Sequence, residues 1–243
     1  MEKKSDLFLP SIIIGICFII GVVVFTNAWK SNQRANQTIT VTGSAKQEII
    51  SDLGFLRGTI SVQSFSAESA YAELNREKPI LIAYLDKQGF PKDKIEFSTI
   101  NSYPVYEIGA NGYQTGRVNG YVYNQRIEIQ SDDVYKIKNL SLDITSLIEK
   151  GVNFTVEAPE YHYTKIADLK IEIQAAAAKD AMVRAQKIAE ATDRDLGPMR
   201  NSRMGVIQIT PKFSNAVSDY GINDLGSIEK EIIGVVSASF EIE

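Results

Sequence analysis

Cysteine and histidine are almost missing from this 243-residue chain, which has one of each, Cys17 and His162. Cys17 lies inside an apolar run, so the remainder of the chain has no thiol for a disulfide or an iron–sulfur site and must be held by a buried core. A lone histidine cannot build a multi-histidine zinc site. As a general base it would need an orienting carboxylate and a nucleophile. Glu157 and Glu160 are near in sequence, but their odd separation on a strand sends them to opposite faces. His162 therefore reads as a solvated or hydrogen-bonded surface residue. Neither Gly-x-Gly-x-x-Gly nor Gly-x-x-x-x-Gly-Lys-Ser/Thr occurs. Asp132-Asp133 reads as a helix start rather than a metal site, and no carboxylate pair stands out for glycoside hydrolysis. No catalytic constellation, cofactor or metal site emerges. A basic run is also lacking. The net charge is −4, and removing residues 1–29 takes away Lys3, Lys4, Glu2 and Asp6, which leaves it unchanged. Such a balance argues against nucleic acid, or an anionic membrane surface, as the main partner.

What is present first is an uncharged stretch between Asp6 and Lys30. As a helix of about 1.5 Å per residue it is roughly 34 Å long, enough for a hydrocarbon core of ~30 Å. Pro10 sits near its start and Trp29 closes it at interfacial depth. We read residues 1–6 as a short head, 7–29 as a transmembrane helix, 30–37 as a polar tether and 38–243 as an exported domain. The alternative is a cleaved signal peptide, with Thr26–Asn27–Ala28 imitating a cleavage site. Both readings place the C-terminal domain outside the cytoplasm, tethered to the cell membrane by a single pass or released as a secreted or periplasmic protein. An N-terminus facing inward is the simpler orientation.

Beyond the tether, Thr38–Ser44 alternates as a strand and Glu48–Val62 reads as a second, with Leu53, Phe55, Ile60 and Val62 directed inward. Gly54 and Gly58 within it signal a bulge or a close backbone approach. Ser66 or Ser69 caps a helical pattern ending at Gly89, in which Pro79 predicts a kink or a division. Two strands, Ile95–Ile108 and Tyr121–Gln130, flank a long hairpin tip, Gly109–Gly120. A second helix follows to Lys150-Gly151, with Ile137, Leu140, Ile144, Leu147 and Ile148 on one face; Asn153–Tyr161 is a further strand. Lys165–Asp193 is the longest helical pattern, and strands at Gly205–Thr210 and Ile232–Ile242 flank a polar loop, Pro211–Glu229. The order β-β-α-β-β-α-β-α-β-loop-β predicts an α+β fold, largely antiparallel sheets packed with three main helices, after one N-terminal transmembrane helix. No linker divides residues 38–243, so one compact domain is expected, with a bilobed outline open to it.

Two features suggest contact with other copies. Tyr103, Tyr106, Tyr113, Tyr121 and Tyr123, with Arg117, gather on one hairpin, and tyrosine suits interfaces because it joins apolar area to a polar handle. Cross-strand pairing on a half-exposed sheet is the plainer account. Ala177, Ala181 and Ala185 recur every fourth residue, which allows close approach by a sheet, a helix or another subunit.

The order of these segments resembles the SIMPL-domain family of bacterial exported proteins, long labelled as of unknown function. The resemblance rests on Ile39-Thr-Val-Thr-Gly-Ser44, Ser51-Asp52 where the family usually has proline before the aspartate, Gly89-Phe-Pro-Lys-Asp-Lys-Ile-Glu96, the Tyr121–Ile129 arm, Lys187-Ile-Ala-Glu190 and Leu196-Gly197. It covers about residues 38–243. It implies an exported α+β protein, ring-like or channel-like homo-oligomers in some members, and a loose link to envelope and oxidative stress, with no established catalytic residues. The expectation is a membrane-anchored, extracytoplasmic, non-enzymatic homo-oligomer serving cell-envelope maintenance or stress tolerance. The alternative is a monomeric module that binds a peptide, glycan or small molecule.

Overall fold

The computed structural model describes residues 8–34 and 37–242; the predicted head, the first residue of the predicted transmembrane helix, two residues of the tether and residue 243 lie outside the described residues. Helix α1 spans Phe8–Arg34, and within it Ser11–Trp29 is long and apolar enough to cross a membrane, with none of it buried in the chain. It continues five residues into the segment read as tether. Ala28 to Arg34 contains no glycine or proline to stop it, and alanine, lysine, glutamine and arginine all sustain a helix.

Residues 38–243, read from sequence as one domain, divide into two compact units. The first holds the described residues within 1–46, 168–207 and 233–243; the second holds 47–167 and 208–232. Three of the four crossings fall within elements, in strands β1 (Thr38–Ile50) and β11 (Glu229–Ile242) and in helix α4 (Ile166–Ala191). That is why no linker marks the division.

The second unit is built on a six-stranded sheet. Its centre pairs β2 (Leu53–Ser64) antiparallel with β5 (Gln114–Ser131) over an unbroken register from Gly54↔Ser131 to Ser64↔Tyr121. Strands β3 (Ile95–Phe97) and β4 (Asn101–Ile108) pair with β5, while β6 (Phe154–Val156) and β7 (Glu160–His162) pair with β2. Helices α2 (Ala67–Lys87) and α3 (Val134–Asp143) pack on this sheet. Leu56, Ile60, Ile127 and Ile129 are buried with Leu74, Leu81, Leu85, Ile137 and Leu140. Leu53 and Phe55, expected inward, are half-buried, and the glycines alternate with them instead. A Cβ on Gly58 would sit 2.2 Å from the Phe154 ring, and one on Gly54 would press Ile137 at 3.0 Å. With the register continuous, both glycines mark close approach and neither marks a bulge.

Several predicted strands are divided. The stretch 95–108 breaks where Ser98 turns to Arg126: its N–H donates to the Arg126 carbonyl at 2.9 Å and its hydroxyl accepts the Arg126 N–H at 3.0 Å. The stretch 153–161 breaks before Glu160, next to Pro159, which has no N–H for a ladder. The first two strands meet at Ser51–Asp52, so Glu48–Ile50 belongs to β1. Ser51, standing where the family pattern has proline, donates its N–H to the Ile228 carbonyl at 2.9 Å, a bond proline cannot make.

Ser66 caps α2 by accepting the Ser69 N–H at 3.1 Å. Gly89, at φ +78, ends it through hydrogen bonds from the Gly89 and Phe90 N–H groups to Asp86 and Leu85. Of the two outcomes expected at Pro79, a kink or a division, the division does not occur: α2 is one element with Pro79 inside it. Asp133 caps α3 by accepting the Lys136 N–H. From Ile144 to Lys150 the chain tightens to a 3-10 helix. Three residues per turn in place of 3.6 take Ile148 off the apolar face, and it is 68% exposed.

In the first unit, the end of β11 pairs antiparallel with β8 (Leu196–Met204). β8 was not foreseen; Pro198 to Met204 reads as a polar, unpatterned stretch. The predicted strand Gly205–Thr210 begins later, as β9 (Gln208–Pro211) in the second unit, and two residues of the polar loop, β10 (Ile222–Asn223), pair parallel with it. Against the strands of the first unit lies α4. A Cβ on Gly43 would fall 2.2 Å from the Ala181 backbone nitrogen and 2.3 Å from the Ala177 carbonyl oxygen. The helix therefore lies almost backbone to backbone on β1.

Candidate functional site

The β4–β5 hairpin collects the predicted tyrosines. β4 pairs with β5 from Asn101↔Asn124 to Ile108↔Gln114, so the tip is only residues 109–113, with Gly112 at φ +78 in place of the twelve-residue loop expected. The stretch predicted as loop between Gln114 and Gly120 is strand. Beyond Tyr121, where pairing with β2 ends, β5 has β4 as its sole partner among the described residues. That outer part is a two-stranded ribbon, an arrangement of marginal stability in water by itself. It exposes Tyr106, Ile108, Tyr113, Arg117 and Val118, with Ile108 at 70% and Tyr113 at 75%. Tyr103, nearer the sheet, is also exposed. Tyr121 and Tyr123 are half-buried; Tyr123 packs on the core and meets Tyr71 edge-on at 6.2 Å. The structure thus separates an outer aromatic ribbon from two inner, structural tyrosines.

The alanine stripe is placed differently. Ala177, Ala181 and Ala185 are fully buried with Val41, Val236, Ala238 and Phe240 of their own unit, so they have no surface left for a second copy. The next stripe along α4 does have such a surface. Ala178, Met182, Val183 and Gln186 form one wall of an open groove of about 690 Å³, with Leu196, Pro198, Met199 and Phe240 opposite. Lys179 and Lys187 stand on it, and no acidic residue lines it. The groove leaves no mark in the sequence pattern of α4, because its second wall is β8.

His162 belongs to a polar network across β7, β2 and β5. Arg57 holds Glu128 at 2.5 Å and Glu160 at 2.8 Å, and the second oxygen of Glu160 faces His162 Nε2 at 3.3 Å. The ring of Phe55 meets the imidazole edge-on at 5.2 Å. Two residues apart on β7, Glu160 and His162 share a face; Glu157, outside the strand, pairs with Arg126 at 2.7 Å. The Arg57 guanidinium holds the Glu160 carboxyl below the ordinary carboxylate range, so this group is a poor proton acceptor. Lys230 is 2% exposed and donates to the carbonyls of Tyr161 and Asp224, each at 2.6 Å. Burial pushes its ammonium pKa down. The cavity beside it, of about 90 Å³, has room for a few waters at ~30 Å³ each. Both arrangements tie strands and loops together, and His162 and Tyr163 line the same cavity as Lys230. Among the described residues, no three His, Cys, Asp or Glu side chains gather as metal ligands.

Comparison with known families matches residues 39–222 to the SIMPL model, described as a protein of unknown function, DUF541. The chain belongs to the SIMPL family. The match takes in the glycine-containing start of β1, the hairpin and all of α4, so the elements just described are those of a SIMPL protein. A comparison with curated proteins gives no match.

Proposed function

We propose that this SIMPL protein is anchored in the cell membrane by α1, carries its remaining mass outside the cytoplasm, and assembles with copies of itself through the outer β4–β5 ribbon. Its work is structural, in maintaining the envelope or its tolerance of stress, and not enzymatic. The observation that carries this is the ribbon itself. A two-stranded extension that exposes Tyr106, Ile108, Tyr113 and Val118 gains little from its own sheet and much from being covered. An uncharged helical stretch of 19 residues, Ser11–Trp29, supports the anchor. Anchoring also confines copies to a plane, which raises their effective concentration for a weak contact.

The test is light scattering on the full chain in detergent, compared with a variant carrying Tyr106→Ser, Ile108→Ser and Tyr113→Ser. All three side chains are exposed, so the fold is retained. The full chain is expected to run at a multiple of its own mass and the variant at a single mass. A single mass for both would reject assembly. A second reading, a monomeric binding module, draws on the α4–β8 groove, and would be indicated by that same result.

A further inference from the structure

The α4–β8 groove carries chemistry that assembly through the ribbon does not use. Met182, Val183 and Met199 line it while 48%, 47% and 55% exposed, an apolar surface on a chain otherwise rich in charge. Methionine side chains are flexible and polarizable and adapt to ligands of variable shape. At roughly 30 Å³ for a group the size of a water molecule, about 690 Å³ of open groove takes some twenty such groups, the order of one acyl chain. The only charges on the lining are positive. Lys179 and Lys187 lie two turns apart on α4, about 12 Å along the axis; Lys179 makes no ion pair among the described residues, and Lys187 holds Glu190 at 2.9 Å in an exposed pair of the weak kind. The net charge of −4 disfavours an anionic surface for the chain as a whole, so this positive rim is a local feature.

The chain's layout supplies the source of such a ligand. Five helical residues and three more separate Trp29 from Thr38. At ~1.5 Å per helical residue and at most ~3.6 Å for the others, β1 begins within about 22 Å of the end of the apolar span. The unit that contains the groove is the one into which this tether runs.

We propose that the α4–β8 groove binds one acyl chain of an anionic phospholipid drawn from the membrane that holds α1, with Lys179 and Lys187 meeting the headgroup. The proposal rests on the anchor in the reading above and is independent of assembly. To test it, the full chain is incorporated in phosphatidylcholine nanodiscs containing phosphatidylglycerol with a photoreactive diazirine in its acyl chain, and labelled peptides are mapped by mass spectrometry. Label is expected on the α4 peptide with Met182 and Val183 and on the β8 peptide with Met199, besides α1. Moving the diazirine to phosphatidylcholine should lower the groove label roughly tenfold, less than the roughly thirtyfold of two free lysines because Lys187 is shared with Glu190. Val183→Asp should abolish groove label without changing disc co-elution or the thermal melt, because Val183 is exposed. Lys179→Gln with Lys187→Gln should remove only the preference for phosphatidylglycerol. A chain that co-elutes with the discs and is labelled along α1 alone overturns the proposal and leaves the anchor standing. Groove peptides cross-linked to a second copy overturn it in favour of a protein contact. A chain that neither co-elutes nor is labelled rejects both lipid binding and the anchor.

Discussion

Among the described glycines, Gly43 and Gly58 leave the least room for a side chain, with different neighbours. At Gly43 an added Cβ meets only the backbone of Ala177 and Ala181, which cannot move without shifting α4; at Gly58 it meets the Phe154 side chain and, at 2.8 Å, the Thr155 carbonyl oxygen, so part of the contact is with a side chain. Gly43→Ala is therefore expected to cost about 3 kcal/mol and Gly58→Ala about half as much, read as lowered urea midpoints. Glu77 is a different case. It is 5% exposed, and burial holds its carboxyl above the ordinary range, against one opposing hydrogen bond from the Asn153 N–H at 3.3 Å. A raised folded-state pKa means that the native protein holds this proton more tightly than the unfolded chain. Its contribution is thus most favourable below the ordinary carboxylate range and declines as pH rises through that range to the raised value. Glu77→Gln keeps an acceptor for Asn153 and removes the charge. The variant should match the parent in acid and exceed it at neutral pH, in urea melts at the two pH values. Glu160 has the opposite sign: held down by Arg57, it stabilises above the ordinary range, and that stability is lost as pH falls through its lowered value.

Among the elements, α2 carries an evident inefficiency. Pro79 is exposed in the middle of a 21-residue helix, where it removes one backbone hydrogen bond. Pro79→Ala should raise stability by about 1–3 kcal/mol, seen as a higher melting temperature; a lower one would show that the ring has a structural role. In the hairpin, two Asn-Gly dipeptides have different outcomes. Asn111-Gly112 did mark the turn, because a positive φ is needed there. Asn119-Gly120 marked nothing of the kind. It lies within β5, where Gly120 runs close to the Ser64 carbonyl, 2.9 Å from where a Cβ would be. A dipeptide signals a possible turn, and pairing with a neighbouring strand decides whether it forms.

At the scale of the whole molecule, the two units differ in how their cores are assembled along the chain. Every buried residue of the larger core lies between Leu56 and Tyr161, within one continuous stretch. The smaller core joins Val41 to Ala177–Ala185 and to Val236–Phe240, three distant segments. A fragment of residues 47–167 is therefore expected to melt cooperatively by circular dichroism, less stably than the full chain because it lacks Lys230 and its bonds to Tyr161 and Asp224. A fragment of residues 168–243 lacks Val41 and Gly43 and should show no cooperative transition. The reverse pattern would mean that the two cores are wrongly apportioned.

The sequence by itself determined α1, the three long helices with the caps at Ser66 and Asp133, the alternating strands and the family, because each depends on local periodicity, composition or the order of short motifs. It also revealed the aromatic hairpin, since its tyrosines are close along the chain. Only the tertiary structure decided that the alanine stripe is consumed within its own unit while the neighbouring stripe lines a groove. Both stripes are mostly apolar and lie on one helix, and what distinguishes them is which strand lies opposite: β1 with its glycine on one side, the unforeseen β8 on the other. Long-range pairing of this kind leaves no periodic trace in the sequence, because each partner's local pattern is compatible with many neighbours.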